Sequence, residues 1–128
     1  MSSLATNIKT ENTVKMVVTE IIGSHLCITI ANAQKVNRAI AAAFKEGKKV
    51  ILSFQDAEDL TWGFLSDSIG QLYLDFPEEQ IKDSLSFVDI TDDDLEFIED
   101  VVYWKKEFLK APERYKEAAR EFLEIDDD

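Results

Sequence analysis

Four carboxylates crowd one short stretch of this chain: Asp56, Glu58, Asp59 and Asp67 stand in and just after the acidic turn that follows the apolar run Val50, Ile51, Leu52, Phe54. Carboxylates at the carboxyl end of a buried strand could hold a magnesium ion, cap the turn and the following helix start, or face a basic partner. Capping is the preferred reading, and no metal site is expected. No spacing fits a calcium loop, because the acidic segment at residues 92–100 lacks the glycine such a loop needs. Thr61, Ser66 and Ser68 add hydroxyls. Thr61 reads first as a helix N-cap, and Thr61 and Ser66 are the candidate phosphoacceptors, although the acidic neighbours would oppose a phosphate. His25, the single histidine, lies two residues from Cys27, the single cysteine. A catalytic pair would also need an orienting group and an oxyanion site, and the sequence offers neither. With four glycines in total there is no phosphate-cradling loop. No catalytic residue and no cofactor are expected; the chain does not read as an enzyme.

Those groups must be positioned by the elements around them. Residues 50–54 form the continuous apolar run of a strand covered on both faces. After the acidic turn, Trp62, Leu65, Ile69, Leu72 and Phe76 recur at helical spacing, so one helix is expected up to Pro77. Trp62, in its first turn, is read as a core residue, with an exposed anchor as the alternative.

Upstream, Val14, Met16 and Val18 alternate as a strand, Gly23-Ser24 turn the chain, and Leu26, Ile28 and Ile30 alternate as a second strand, which could complete a hairpin. Asn32 is the expected N-cap of a helix over residues 33–46, closed by Gly47. Downstream, residues 77–84 read as a polar connector and 85–90 as a fourth strand. Thr91 opens a further helix with Asp92, Asp93 and Asp94 in its first turn, where the helix dipole favours them. Phe97, Val101, Trp104 and Phe108 form a stripe with Leu95, Ile98, Val102 and Leu109 beside it, a face broad enough to demand burial. Pro112 should break this helix, with an added helical segment over 112–124, and the ends, 1–12 and 125–128, are expected to be loose.

The whole describes a single α/β domain of 128 residues. Its net charge of −12 argues against binding nucleic acid or an anionic membrane directly. That charge is uneven: residues 1–55 carry +4 and residues 56–128 carry −16. The lone cysteine, the lack of a secretory-length apolar leader and the lack of a membrane-length apolar run point to a cytoplasmic protein.

The segment VILSFQDAEDLTWGFLSDSIGQLYLDF, followed by IKDSLSFVDITDDDLEFIEDVV, resembles a bacterial family of STAS-like domains of unknown function and, more distantly, the STAS fold of anti-sigma-factor antagonists. The resemblance covers residues 47–102 in detail. Phe64 and Asp67 match the family's helix-start pattern, and residues 85–91 match its last strand and helix start. In the antagonists a phosphorylatable serine stands at this helix N-terminus; here that position falls on Trp62 or Gly63, neither of which can take a phosphate. The resemblance implies a mixed four-stranded sheet with packed helices and a non-enzymatic regulatory module that docks a protein. In related systems that partner is an ATP-binding regulator of the histidine-kinase-like class. The docking surface would comprise Asp56, Glu58, Asp59, Thr61, Trp62, Gly63, Phe64 and Asp67. A homodimer through the C-terminal segment is left open. The alternative function is an acidic mimic of nucleic acid that inhibits a DNA- or RNA-binding protein, suggested by the seven acids among residues 89–100.

Overall fold

The structure is a computed structural model, and it describes residues 12–110. Three parallel strands, β1 (Thr13–Val17), β2 (Lys49–Ser53) and β3 (Leu85–Val88), form one sheet in the order β1-β2-β3. Val14 and Leu85 flank Val50, and Met16 and Phe87 flank Leu52, so these six side chains share one face. Val50 and Leu52 are buried there, each apolar side chain contributing about 1.5–3 kcal/mol by leaving water. The other face is largely open. Ile51 is only partly buried between exposed Lys15 and exposed Ser86, which corrects the expectation that this strand is covered on both sides.

The strand expected over residues 26–30 is absent, and with it the hairpin, so among the described residues the sheet has three parallel strands and not a mixed four. After β1 the chain turns at once into a short helix, α1 (Val18–Ile22), ended by Gly23 at φ 69°. Residues 26–30 then pass beneath the acidic turn with a single parallel bridge from Leu26 to Glu58. The alternation that suggested a strand has the opposite phase from the one expected: Cys27 is buried, whereas Leu26, Ile28 and Ile30 are exposed. Thr29, not Asn32, caps the next helix, α2 (Ile30–Lys45), its hydroxyl accepting from the Asn32 N–H. Val36, Ile40 and Phe44 line its buried stripe. The helix closes on Gly47 at φ 76°, where Gly47 N–H donates to Phe44 O at 2.9 Å and Lys48 N–H to Ala43 O at 2.9 Å. This is a Schellman closure, and the left-handed position suits a residue without Cβ.

Beyond β2 and the acidic turn, the expected continuous helix is built in three pieces: α3 (Trp62–Leu65), a π turn (Ser66–Gly70) and α4 (Leu72–Asp75). A π turn inserts extra chain into the helical ladder and shifts the phase of every later residue in the helix. Phe64, Leu65, Ile69 and Leu72 end up buried while Trp62 stays 45% exposed, so Trp62 is not the core residue expected. Phe76 meets Phe44 edge-on, with ring centroids 5.2 Å apart, tying α4 to the end of α2. Residues 77–84 are not a plain connector. They form α5 (Glu78–Ser84), with Glu78 and Glu79 in its first turn and Ile81 buried.

Thr91 caps the last helix as expected, its hydroxyl accepting from Asp94 N–H at 3.1 Å. This helix, α6 (Asp92–Lys110), buries Ile98 and Val101 against the π turn and α3. Of the broad apolar face expected to be buried, Phe97 and Val102 also pack against the core, but Trp104 and Phe108 remain 52% and 41% exposed, with Tyr103 54% exposed beside them. Lys106 Nζ reaches Glu78 at 2.6 Å and fastens α6 to α5. The expected segment at 112–124 and the ends at 1–11 and 125–128 lie outside the described residues.

Candidate interaction surface at the carboxyl end of the sheet

The acidic turn is held by backbone and hydroxyl hydrogen bonds rather than by its carboxylates. Phe54 N–H donates to Val88 O at 3.1 Å, and Ala57 N–H closes a tight turn on Phe54 O at 3.0 Å. Within that turn Asp56 takes φ 62°, and Asp59 further on takes φ 55°. Left-handed backbone disfavours most residues, but aspartate tolerates it better than β-branched or bulky ones. Glu58 N–H donates to His25 O at 2.7 Å and Glu58 O accepts from Cys27 N–H at 3.1 Å, while His25 Nδ1 donates to Asp56 O at 3.2 Å. Thr19 adds a hydroxyl donated to Gln55 O at 3.3 Å.

Below the turn sits a pair that sequence reasoning missed. Ser53, fully buried at the end of β2, donates its hydroxyl to Asp89 Oδ2 at 2.6 Å and accepts from Gln55 N–H at 3.2 Å. Asp89 follows β3 directly and also has a left-handed φ, 55°. Only the parallel register of β2 and β3, which sets Ser53 beside Val88, could have revealed this contact.

Of the residues predicted to form a docking surface, Asp56, Glu58, Asp59, Trp62 and Gly63 are exposed together along the turn and the first turn of α3. Thr61 is the N-cap between them: its Oγ1 accepts from Phe64 N–H at 3.1 Å and donates to Cys27 O at 3.4 Å. Phe64 is a correction. It is 1% exposed in the core and presents nothing to a partner. Asp67 lies apart from the turn, lining a polar cleft of about 420 Å³ with Gln34, Asn37, Arg38, Gln71 and Asp75 on the α2 side. On the opposite flank Trp62, Ser66, Val101, Trp104, Lys105 and Phe108 line a groove of about 240 Å³ between α3 and α6. Ser66 accepts there from Lys105 Nζ at 3.2 Å, and the Trp62 ring packs against Phe97 with centroids 6.1 Å apart. The aromatic side of this groove was missed because a stripe of apolar residues on a helix reads as core. Three aromatic residues among positions 103–108, interleaved with Lys105 and Lys106, were the available signal.

Among the described residues no three His, Cys, Asp or Glu side chains come together as a metal site, so Asp56, Asp59 and Asp67 do not converge. Cys27 and His25 do not form a reactive couple either. The thiol is buried and donates to the His25 carbonyl at 3.8 Å, while the ring turns to Asp56. Burial raises the thiol's pKa, which keeps it protonated and unreactive.

An α/β domain with parallel strands, helical connections between them and an acidic turn at the carboxyl end of the central strand is the class this geometry defines. The family model for the STAS-like domain of unknown function (DUF4325) matches residues 32–95, half of the chain, and the protein belongs to that family. The match runs from α2 to the first turn of α6, leaving β1 and the aromatic part of α6 outside it. No curated protein and no solved structure matches the chain. No helix among the described residues is long and apolar enough to cross a membrane.

Proposed function

We propose that the domain is a non-enzymatic regulatory module that docks a protein partner through the acidic turn and Trp62, the partner being an ATP-binding regulator of the histidine-kinase-like class. The observation that carries this reading is the construction of the turn. Asp56 and Asp59 are held in left-handed backbone, a conformation that costs on the order of 1 kcal/mol or more at each residue and persists only where surrounding contacts enforce it. The turn is held by bonds from His25, Cys27 and Thr19 and by the Ser53 hydroxyl that Asp89 accepts from. Among the described residues no hydrogen bond or ion pair engages the carboxylates of Asp56, Glu58 and Asp59, which stand beside an exposed tryptophan. Charged groups displayed on a rigid loop next to an aromatic anchor suit recognition of a complementary protein face.

The test is affinity capture from native lysate with the full chain and with an Asp56→Lys/Asp59→Lys variant, followed by identification of the captured proteins. Capture of an ATP-binding regulator, lost with the variant, is the expected result. Identical capture by both proteins would overturn the reading. Capture of a nucleic-acid-binding protein that is released steeply by salt would favour the acidic mimic instead.

A further inference from the structure

The groove between α3 and α6 has features that the acidic turn alone does not explain. Both tryptophans of the chain, Trp62 and Trp104, line it, and each leaves about half of its surface in water. Gly63, beside Trp62, is exposed, and a Cβ built there would meet nothing within 4 Å. Aromatic side chains gathered at an open groove are the composition of interface hot spots, not of ordinary solvated surface. Trp62 and Ser66 lie within the family match, and Val101, Trp104, Lys105 and Phe108 lie beyond it.

Two observations specify the occupant. First, the lining residues come from α3, the π turn and α6, and no residue of β1 or β3 lines the groove. An extended peptide would find no strand to pair with there, which favours an occupant that satisfies its own backbone, as a helix does. Second, the surroundings are acidic. Asp100 stands one helical turn before Trp104 and Glu96 a turn before that, on the same side of α6, and both are exposed. Asp59 is exposed just ahead of Trp62. The cation within the groove, Lys105, directs its ammonium to Ser66.

We propose that this groove receives an amphipathic basic helix of a partner protein, with apolar side chains between Trp62 and Trp104 and flanking Lys or Arg residues facing Asp59, Glu96 and Asp100. The inference rests on the docking reading above and adds the chemistry of the partner segment.

Intrinsic fluorescence reads the site directly, because both emitting residues line it. The probe is a synthetic tryptophan-free peptide of leucine and lysine with leucines at helical spacing. It is compared with a scrambled peptide of the same composition and with a leucine–glutamate peptide of the same spacing. The leucine–lysine peptide should give a saturable blue shift that weakens with salt, and the other two should give none. Trp104→Ala and Asp59→Lys/Asp100→Lys should each weaken binding by about tenfold or more, with circular dichroism confirming that the variants are folded. No blue shift with the leucine–lysine peptide, or equal binding of the leucine–glutamate peptide, would overturn the proposal. A blue shift that develops in the protein alone as its concentration rises, and reverses on dilution, would also overturn it by assigning the groove to a second copy. If capture of the ATP-binding regulator still depends on Asp56 and Asp59 while the peptide fails to bind, the groove assignment falls and the docking reading stands.

Discussion

Ser53 and Asp89 close the carboxyl end of the sheet: the buried hydroxyl at the end of β2 donates 2.6 Å to the carboxylate just past β3. The same hydroxyl accepts from Gln55 N–H, so one serine joins two strands to the acidic turn. Replacing Asp89 by alanine removes the acceptor and puts a Cβ with no local hydrogen bond at φ 55°. The expected loss is about 1–3 kcal/mol from the stranded hydroxyl, with backbone strain added. Asp89→Asn keeps an acceptor and tolerates the left-handed backbone, and should lose less than the alanine variant. Urea unfolding of both variants checks this; equal losses would mean the contact does not hold the sheet end.

Phe64 and Trp62 are separated by a single residue yet should behave oppositely. Phe64→Ala empties a core position and should cost about 3–5 kcal/mol. Trp62→Ala removes an exposed ring whose packing contact is with Phe97, and should cost about 0.5–1.5 kcal/mol. Thermal melts of the two variants decide it, and the reverse order would place Trp62 inside.

Thr61 is engaged on both sides as a cap, so Thr61→Ala should destabilise by about 0.5–2 kcal/mol, whereas Thr61→Asp should retain most of the stability. Mass spectrometry of the protein purified from its native cell gives the complementary reading. A phosphate on Thr61 would show that the cap can be given up.

Burial raises the pKa of Cys27, and it also raises that of Tyr73, where Lys106 opposes the shift and Glu78 adds to it. Both groups hold their proton more tightly when folded. Their contribution to stability is therefore complete below the unfolded values, about 8.5 for a thiol and about 10 for a phenol, and is lost as pH rises through the higher folded ones. Urea midpoints should fall on the alkaline side, and Cys27→Ala should flatten the first part of that fall. A midpoint that rises with pH across this range would contradict the assignment.

Gly70 closes the π turn without needing left-handed backbone. A Cβ there would touch Lys105 Cγ at 3.5 Å and Cδ at 3.6 Å, ordinary contact with a flexible side chain. Gly70→Ala should therefore be neutral, or stabilising by up to about 1 kcal/mol. A clear loss in the melting temperature would show that the turn needs glycine's freedom.

The sequence was most legible where one local rule acted alone. The run at β2, the Gly47 closure of α2, the Thr91 cap and the strand–helix–strand order were all readable, because each is set by a few adjacent residues. Residues 26–30 were misread because alternation reports a period and not which phase is buried; the Thr29 cap, three residues before Asn32, was the competing signal. The stripe through Trp62, Leu65, Ile69, Leu72 and Phe76 assumed one continuous α-helix, and the π turn at Ser66–Gly70 offsets the residues before it from those after it, so Trp62 leaves the line that Ile69 and Leu72 hold. The acidic turn was legible as a cluster, but its left-handed aspartates and the Ser53–Asp89 contact depend on strands distant in sequence. The groove was hidden by the reasonable expectation that aromatic residues on a helix face inward.

The all-parallel register also governs how the molecule is made. Thr13 pairs with Lys49, and Val50 with Leu85, so no strand among the described residues can find its neighbour by a local turn. Each pairing must wait until an entire intervening helical connection has been synthesised and compacted, and the loop-closure entropy is spent before any ladder bond forms. On the ribosome, β1 therefore emerges with both edges bare and stays so until β2 follows. The capped and Schellman-closed α2 can form first and bring β2 back alongside it. Substitutions that weaken α2 should consequently slow folding more than they speed unfolding, and the nascent first strand is the segment a chaperone would meet.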